Sequence, residues 1–164
     1  MHAGTVVLAH AVPHPAPRED TQERYELALR VLERALEALG VATERGELPG
    51  EWCPGRHSLH AGPRKLAGVA QRVRMRAALT EALVIAADPA PLRSVLADVH
   101  EALGVGFAPE TVGAVAELAA ADTDAVEAAL VAALAQERAL EPAEPDPALL
   151  AAAAELRPRH DLGA

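Results

Sequence analysis

Residues 50–79 read GEWCPGRHSLHAGPRKLAGVAQRVRMRAAL. Two runs with strand character, residues 56–61 and 64–73, lie on either side of a Gly-Pro turn, and residues 77–86 form a third run. Short extended runs separated by turn residues are typical of antiparallel strands that follow one another in a sheet. The segment therefore predicts a three-stranded meander, although the alanines weaken the strand character of its second and third runs.

The residues before this segment predict a strand, a helix and a loop. Residues 5–12 are apolar and β-branched, which indicates a buried strand. A helix then begins at Asp20, with Glu23 placed to complete a capping box, and it ends at Gly40. Residues 41–44 are expected to form a short strand and residues 46–55 a loop. The helix repeats apolar residues at the required spacing, at Tyr25, Leu29, Leu32, Leu36 and Leu39.

The residues after position 89 have a helical pattern. We expect three helices, one around residues 92–99, one over residues 111–118 and one over residues 124–140, the last capped by Asp122 or Thr123. Strands followed by helices indicate an α+β fold, with a mixed or antiparallel sheet and flanking helices.

Two domain-level expectations follow from this pattern. Residues 1–140 are expected to form one domain. Residues 141–164 are expected to be a linker rich in Pro and Glu, followed by a C-terminal helix or tail.

Composition narrows the classes of function. The chain has 164 residues, of which 51% are hydrophobic, and a formal net charge of −9. That charge disfavours nucleic acid as a partner, and no apolar run is long enough for a membrane span or a signal peptide. The single cysteine, Cys53, excludes an internal disulfide and a multi-cysteine metal site. We therefore expect a cytoplasmic protein that binds neither membranes nor nucleic acid.

The basic residues are unevenly used. The chain contains fourteen arginines and one lysine, Lys65. A lysine kept where arginine is otherwise preferred suggests a site that needs a compact, tunable ammonium group, although composition bias alone also explains a single lysine. Several basic side chains are concentrated around it, either to hold an anion or to solubilise a strand face: Arg56, Arg64, Arg72, Arg74 and Arg76.

The same stretch resembles the signature of the lipoate-protein ligase and octanoyltransferase family. In that family a strand with the pattern Gly-Arg-Lys-hydrophobic-x-Gly-x-Ala-Gln-Arg supplies a lysine to an activated acyl group. The matching residues are Arg64, Lys65, Gly68, Ala70, Gln71 and Arg72. The resemblance implies the catalytic core that biotin and lipoate protein ligases share, and a looser likeness extends from Gly4 to about residue 140.

The resemblance assigns roles to individual residues of the pattern. Lys65 would hydrogen-bond the acyl carbonyl and a phosphate, which stabilises charge that develops in the transition state. Gly68 would let the backbone approach the ligand, or would simply mark a strand bulge. Gln71 would make one orienting hydrogen bond, or would be an ordinary polar residue on a strand. Gly4, Arg64, Ala70 and Arg72 are expected to bind the ligand.

Two chemistries are known in such a family. In the ligase reaction, which we expect first, ATP and Mg²⁺ activate lipoate as lipoyl-AMP, and the lipoyl group passes to a lysine of an acceptor domain. In the transferase reaction, an octanoyl-carrier protein acylates a cysteine, and no further cofactor is needed. Cys53, followed five residues later by Ser58, resembles the nucleophile loop of one transferase branch. A cysteine that serves only as a small apolar residue is the alternative.

The family also implies partners. The acceptors would be lipoyl domains of 2-oxoacid dehydrogenases or the glycine cleavage carrier protein, and the acyl donor would be acyl carrier protein in the transferase reaction. Residues 4–8, GTVVL, resemble the end of an Arg-Arg-x-Gly-Gly-Gly motif and its strand, but His2 and Ala3 replace glycines. The chain thus resembles a family member truncated at its N-terminal third. This predicts either a partner chain that supplies that part or a non-catalytic fragment or subunit of a split enzyme.

Two further expectations concern ligand classes. Biotin transfer is a weaker alternative, because the lysine-strand pattern is of the lipoate type. His57 and His60 lie three residues apart, and on a strand they would point to opposite faces, so we expect no metal site there. His10 is expected to pack in the core.

Overall fold

The computed structural model describes residues 2–159, and a five-stranded antiparallel sheet lies at its centre. The strands are β1 (Thr5–Pro13), β2 (Glu44–Arg45), β3 (Ser58–Ala61), β4 (Arg64–Val73) and β5 (Ala77–Ile85). The helices are α1 (Thr21–Ala38), α2 (Ala90–Leu103), α3 (Thr123–Glu137) and α4 (Pro147–Leu156). The fold is α+β, as the sequence predicts, and the sheet is antiparallel rather than mixed.

The predicted meander forms the middle of the sheet, which has the strand order β1-β5-β4-β3-β2. Gly62, in the turn between β3 and β4, has a φ of +56°, a left-handed conformation that glycine adopts without strain. Despite its alanines, β5 pairs along its length with both β1 and β4. Residues 41–44 were expected to be a strand, and the strand found is the shorter β2.

Helices α1 and α3 cover one face of the sheet. Three of the predicted apolar residues of α1, Leu29, Leu32 and Leu36, are fully buried there. α3 adds Val126 and Leu130 to the same core. Burial of each large aliphatic side chain stabilises the fold by about 1.5–3 kcal/mol, so this layer fixes the sheet from one side. The predicted N-cap of α3 is present, because the Asp122 carboxylate accepts a hydrogen bond from the Ala125 N–H at 2.9 Å.

The expected capping box of α1 is absent. Asp20 is the N-cap residue, but its side chain makes no capping hydrogen bond. Instead, its Oδ2 lies 2.7 Å from Nε2 of His14 in the preceding turn. A polar contact with a neighbouring imidazole thus replaces the local cap.

The helix expected over residues 111–118 is also absent. Two short 3-10 turns, Pro109–Thr111 and Val115–Glu117, take its place. Gly113, between the two turns, donates its N–H to the Lys65 carbonyl of β4 at 3.0 Å, and Ala116, in the second turn, donates its N–H to the carbonyl of Ala86, just after β5, at 2.8 Å. Two backbone donors of this segment therefore bond to distant residues at the sheet rather than within a continuous helix.

The strand predicted over residues 5–12 to be buried is β1, and it is half-buried. The remaining elements lie at the surface. No residue of α2 or α4 is buried, and residues 141–159 are exposed throughout. Residues 160–164 of the expected tail lie outside the described residues. Among residues 2–159, no helix combines the length and apolar character that crossing a membrane requires.

Candidate active site

Among residues 2–159, Lys65 is the largest fully buried side chain, with 1% of its surface exposed. All three protons of its Nζ have acceptors. They are donated to Glu51 Oε1 at 3.0 Å, to the Trp52 carbonyl at 2.8 Å and to the Cys53 carbonyl at 2.9 Å. The loop before β3 therefore wraps around the head of one strand lysine.

Glu51 is the counter-ion of this lysine and is itself 2% exposed. Two charges buried side by side lose much of their hydration, and only close, well-satisfied geometry offsets that cost. Burial lowers the pKa of Lys65, and the hydrogen bond and charge of Glu51 act in the opposite direction. The site holds an ammonium whose proton affinity is weaker than that of an exposed lysine.

A β-bulge orients the lysine strand. His60 of β3 pairs with Lys65 and Leu59 pairs with Ala67, so that Leu66 is the additional residue. On a regular strand, Lys65 and Gly68 would point to opposite faces, because they are three positions apart. The bulge puts both at the wall of the same cavity while Leu66 enters the core.

The cavity beside Lys65 has a volume of about 520 Å³ and lies on the sheet face opposite α1 and α3. Its wall is mainly apolar and comes from four strands and the loop, including Val7, Trp52, Ala70 and Leu83. A Cβ added at Gly68 would lie 3.5 Å from Lys65 Cε and 3.7 Å from its Nζ. Gly68 thus keeps open the space directly above the lysine.

Trp52 forms the second wall of the lysine site. Its ring centroid is 4.3 Å from Lys65 Nζ, which is a cation–π distance. Its indole Nε1 is buried without a hydrogen-bond partner in the described structure. An unpaired buried donor beside a cavity is the kind of group that a bound molecule satisfies.

Cys53 lines the same cavity and is exposed. Its φ is +42°, in the left-handed region that non-glycine residues rarely adopt. Strained backbone of this kind occurs often at functional positions, where surrounding contacts hold it. Here the hydrogen bond from Lys65 to the Cys53 carbonyl is one such contact.

The other predicted ligand-binding residues do not all reach the cavity. Ala70 lines it. Gln71 lies on the opposite face of β4, where it donates to the Thr21 carbonyl and accepts from Arg24. Arg64 pairs with Glu117 at 3.3 Å, and Arg72 is exposed.

Gly4 has a packing role at the end of β1. An added Cβ would lie 2.1 Å from the Ala87 carbonyl oxygen, and its own carbonyl accepts from the N–H groups of Ala86 and Ala87. A side chain cannot be accommodated there without movement of the backbone. The structure therefore separates Gly4 from the lysine cavity.

The histidines near the site have other partners. His57 stacks on Tyr25, with ring centroids 3.8 Å apart, and it lines the cavity. Burial, followed by the charge of Arg56, lowers the pKa of His57. His10 is half-buried, and burial lowers its pKa as well. Within residues 2–159, no three His, Cys, Asp or Glu side chains cluster in a way that could hold a metal ion.

Sequence reasoning missed Glu51 and Trp52. They occupy the two positions before Cys53, in a loop otherwise rich in Pro and Gly. Their relation to Lys65, fourteen and thirteen residues away, is created by the fold. The sequence feature that could have identified them is a carboxylate and the chain's one tryptophan beside the candidate nucleophile Cys53.

The antiparallel sheet, its helices and the buried lysine at a cavity wall are those of an α+β catalytic domain. The chain belongs to the family described as the lipoyl protein ligase A/B catalytic domain, whose profile matches residues 1–135. This confirms the family that the lysine-strand pattern predicts. No curated protein sequence matches the chain.

Three solved structures are similar in fold. A lipoate protein ligase of T. acidophilum with bound lipoic acid has a TM-score of 0.73 at 18% identity, over 95% of this chain and 61% of that one. A lipoate-protein ligase A bound with ATP has a TM-score of 0.74 at 19% identity, over 93% and 60%. A bi-partite ligase of Thermoplasma acidophilum, described with its E2 lipoyl domain, has a TM-score of 0.70 at 16% identity, over 93% and 59%. The chain spans about three fifths of the length of these proteins.

Proposed function

We propose that this protein acts in protein lipoylation, moving a lipoyl or octanoyl group to a lysine of an acceptor lipoyl domain. The observation that carries the proposal is the buried Lys65 ammonium at the wall of an apolar cavity of about 520 Å³. Such a volume is within the range of small-molecule sites, roughly 300–1,000 Å³. The acceptors we propose are lipoyl domains of 2-oxoacid dehydrogenases or the glycine cleavage carrier protein.

Lys65 supplies the electrostatic part of the reaction. An acyl carbonyl gains negative charge as a nucleophile attacks it, and a fixed ammonium beside it stabilises that charge. The three acceptors on the loop fix the position of the ammonium at the cavity wall before the substrate binds. The mainly apolar wall lowers the local dielectric constant and thereby strengthens this interaction.

Among the two chemistries, the position of Cys53 supports the thioester route. Its thiol would attack an octanoyl thioester of acyl carrier protein, forming octanoyl-Cys53 and releasing the carrier thiol. The acceptor lysine amine would then attack the new thioester, forming the amide and returning the Cys53 thiol. The route requires an accessible thiol close to Lys65, and Cys53 is exposed and lines the same cavity.

The adenylate route is the second candidate, and two fold neighbours favour it. One is described with lipoic acid and another with ATP. Lipoate and ATP would give lipoyl-AMP and pyrophosphate, and the acceptor lysine would release AMP. Mg²⁺ is usually held by phosphates and one or two carboxylates, and Glu81 provides a carboxylate at the cavity wall. Lys65 would contact the acyl phosphate.

A third candidate is a subunit of a split enzyme. β1 pairs with β5 on one side, and its other edge has no strand partner within residues 2–159. An unpaired edge strand is a ready template for another chain. One of the fold neighbours is a bi-partite ligase, which supports a partner chain for this protein. Co-expression with adjacent reading frames tests for such a partner.

The test is acyl transfer to a purified lipoyl domain, followed by mass spectrometry. One reaction contains octanoyl-carrier protein, and the other contains lipoate, ATP and Mg²⁺. We expect the first to modify the acceptor lysine and Lys65→Met to reduce the rate by about 100-fold or more. We also expect Cys53→Ala to abolish transfer from the carrier protein.

The controls separate chemistry from folding. Arg74→Met removes an exposed basic residue from the turn after β4 and is expected to keep full activity. Melting curves verify that Lys65→Met remains folded. Transfer that requires ATP and survives Cys53→Ala would replace the thioester route by the adenylate route. Absence of transfer in both reactions by a folded chain would leave the split-enzyme or non-catalytic candidate.

A further inference from the structure

Glu51 has more side-chain hydrogen bonds than its role as a counter-ion requires. Its Oε1 accepts from Lys65 Nζ at 3.0 Å, from Ser58 Oγ at 2.6 Å and from Gly55 N–H at 3.2 Å. Its Oε2 accepts from Leu48 N–H at 3.1 Å. One carboxylate thus joins the lysine, the start of β3 and both ends of a tight loop.

We infer that Glu51 is the positioning residue of this site, which fixes the Lys65 ammonium and the loop that carries Trp52 and Cys53. The inference rests on the proposed function, because it names the group that sets the geometry for acyl transfer. Glu51 does not line the cavity, so it acts through Lys65 and the loop rather than on the substrate.

The geometry explains why a carboxylate is needed. An ionised carboxylate offers about four acceptor positions and no donor, and Glu51 faces four donors. An amide at this position has one acceptor oxygen, and its NH₂ group would face an ammonium or an N–H group. Glutamine would therefore keep the shape of the side chain but lose part of the network and the whole charge.

The charge balance around Lys65 makes Glu51 the dominant partner. The titratable groups that act on Lys65 are Glu51, Cys53 and Glu47, and of these Glu51 alone is an ion-pair partner within 4 Å. Glu47 is exposed in the same loop. Glu47→Gln makes the same change in charge without touching the network, so it is a matched control.

The chain offers an unusually clean measurement, because Lys65 is its one lysine. Protein labelled with ¹³C and ¹⁵N at lysine has a single lysine side-chain signal in an NMR spectrum. We expect Glu51→Gln to move the titration of this signal to clearly lower pH. The charge that raises the pKa of Lys65 has then been removed, whereas the burial that lowers it remains. Glu47→Gln should leave the titration close to that of the wild type.

Kinetics provide the second measurement. In whichever acyl-transfer reaction the wild type performs, Glu51→Gln is expected to lower kcat by about 10- to 100-fold with little change in KM for the acceptor domain. Glu51→Asp keeps the charge on a shorter side chain. Compared with Glu51→Gln, this variant should return the titration of Lys65 to that of the wild type, but it should recover only part of the wild-type kcat.

The outcomes are distinguishable from those of the proposed function. The NMR titration needs no substrate, so a chain without acyl transfer still tests whether Glu51 controls Lys65. If a folded Glu51→Gln chain kept the wild-type titration and kcat, the inference would be overturned. If that variant did not fold, a wild-type kcat in Glu51→Asp would overturn it, because the shorter carboxylate cannot keep all four bonds.

Discussion

Lys65 has no free proton. Each of its three N–H bonds is directed at an acceptor on the loop, and two of these acceptors are the neutral carbonyls of Trp52 and Cys53. A ligand that accepts a hydrogen bond from Nζ must therefore displace one of them. At the residue scale, substrate binding is coupled to a small movement of the loop that carries the proposed nucleophile.

Gly68 permits a direct test of where the ligand lies. Gly68→Leu would place its side chain in the cavity beside Lys65 and the Trp52 ring, because even a Cβ at this position lies 3.5–3.9 Å from both. We expect a roughly tenfold or larger fall in kcat/KM for acyl transfer, and little change in melting temperature because the added group enters open space. Gly68→Ala should be much milder.

The matched control adds the same leucine elsewhere on the open part of the sheet. Ala11 is exposed on β1, and it does not line the cavity. Ala11→Leu should keep full activity. Equal activity in Gly68→Leu and Ala11→Leu would show that the substrate does not use the space above the lysine.

At the element scale, the bulge in β4 and the loop over residues 46–57 act together. The bulge turns Lys65 towards the cavity, and the loop supplies every acceptor for its ammonium. The meander, α1 and α3 could be predicted from hydrophobic periodicity, because their apolar residues repeat locally. A strand bulge is one interpretation of Gly68 in the sequence, but the position of the bulge at Leu66 could not be predicted, because it depends on how β4 pairs with β3.

The segment over residues 111–118 illustrates the same limit. Its composition predicts a helix, but its backbone bonds to Lys65 and Ala86, which are distant in the sequence. A tertiary contact decided its conformation against local preference. The Glu51–Lys65 pair is the equivalent case for the site, since only the fold brings these two residues together.

Helices α3 and α4 should differ sharply in their contribution to stability. α4 and its linker bury nothing in the described structure, so removal of residues 141–164 should change the melting temperature by no more than about 2 °C. Leu130→Ala in α3 removes a core side chain and should cost about 2–5 kcal/mol. Thermal unfolding of both variants checks the expectation. A large loss of stability in the shortened chain would mean that α4 packs against the domain.

At the scale of the whole molecule, the sheet has two different faces. Helices α1 and α3 cover one face, and the other holds the lysine cavity and remains partly open beyond it. The position of β1 at the edge, beside β5, could not be predicted, because the pairing of strands so far apart in the sequence depends on the complete fold. This arrangement gives the cavity an open side through which carrier and acceptor domains can approach.

The most direct measurement of the central claim is the intact mass of this chain after incubation with octanoyl-carrier protein alone. Cys53 is the one cysteine, so a thioester adduct reports on a single position. We predict one octanoyl group that hydroxylamine removes, that Cys53→Ala does not acquire, and that a lipoyl domain takes up from the isolated adduct. A folded wild-type chain that forms no adduct, or an adduct that the lipoyl domain cannot discharge, would contradict thioester transfer at the Lys65 cavity.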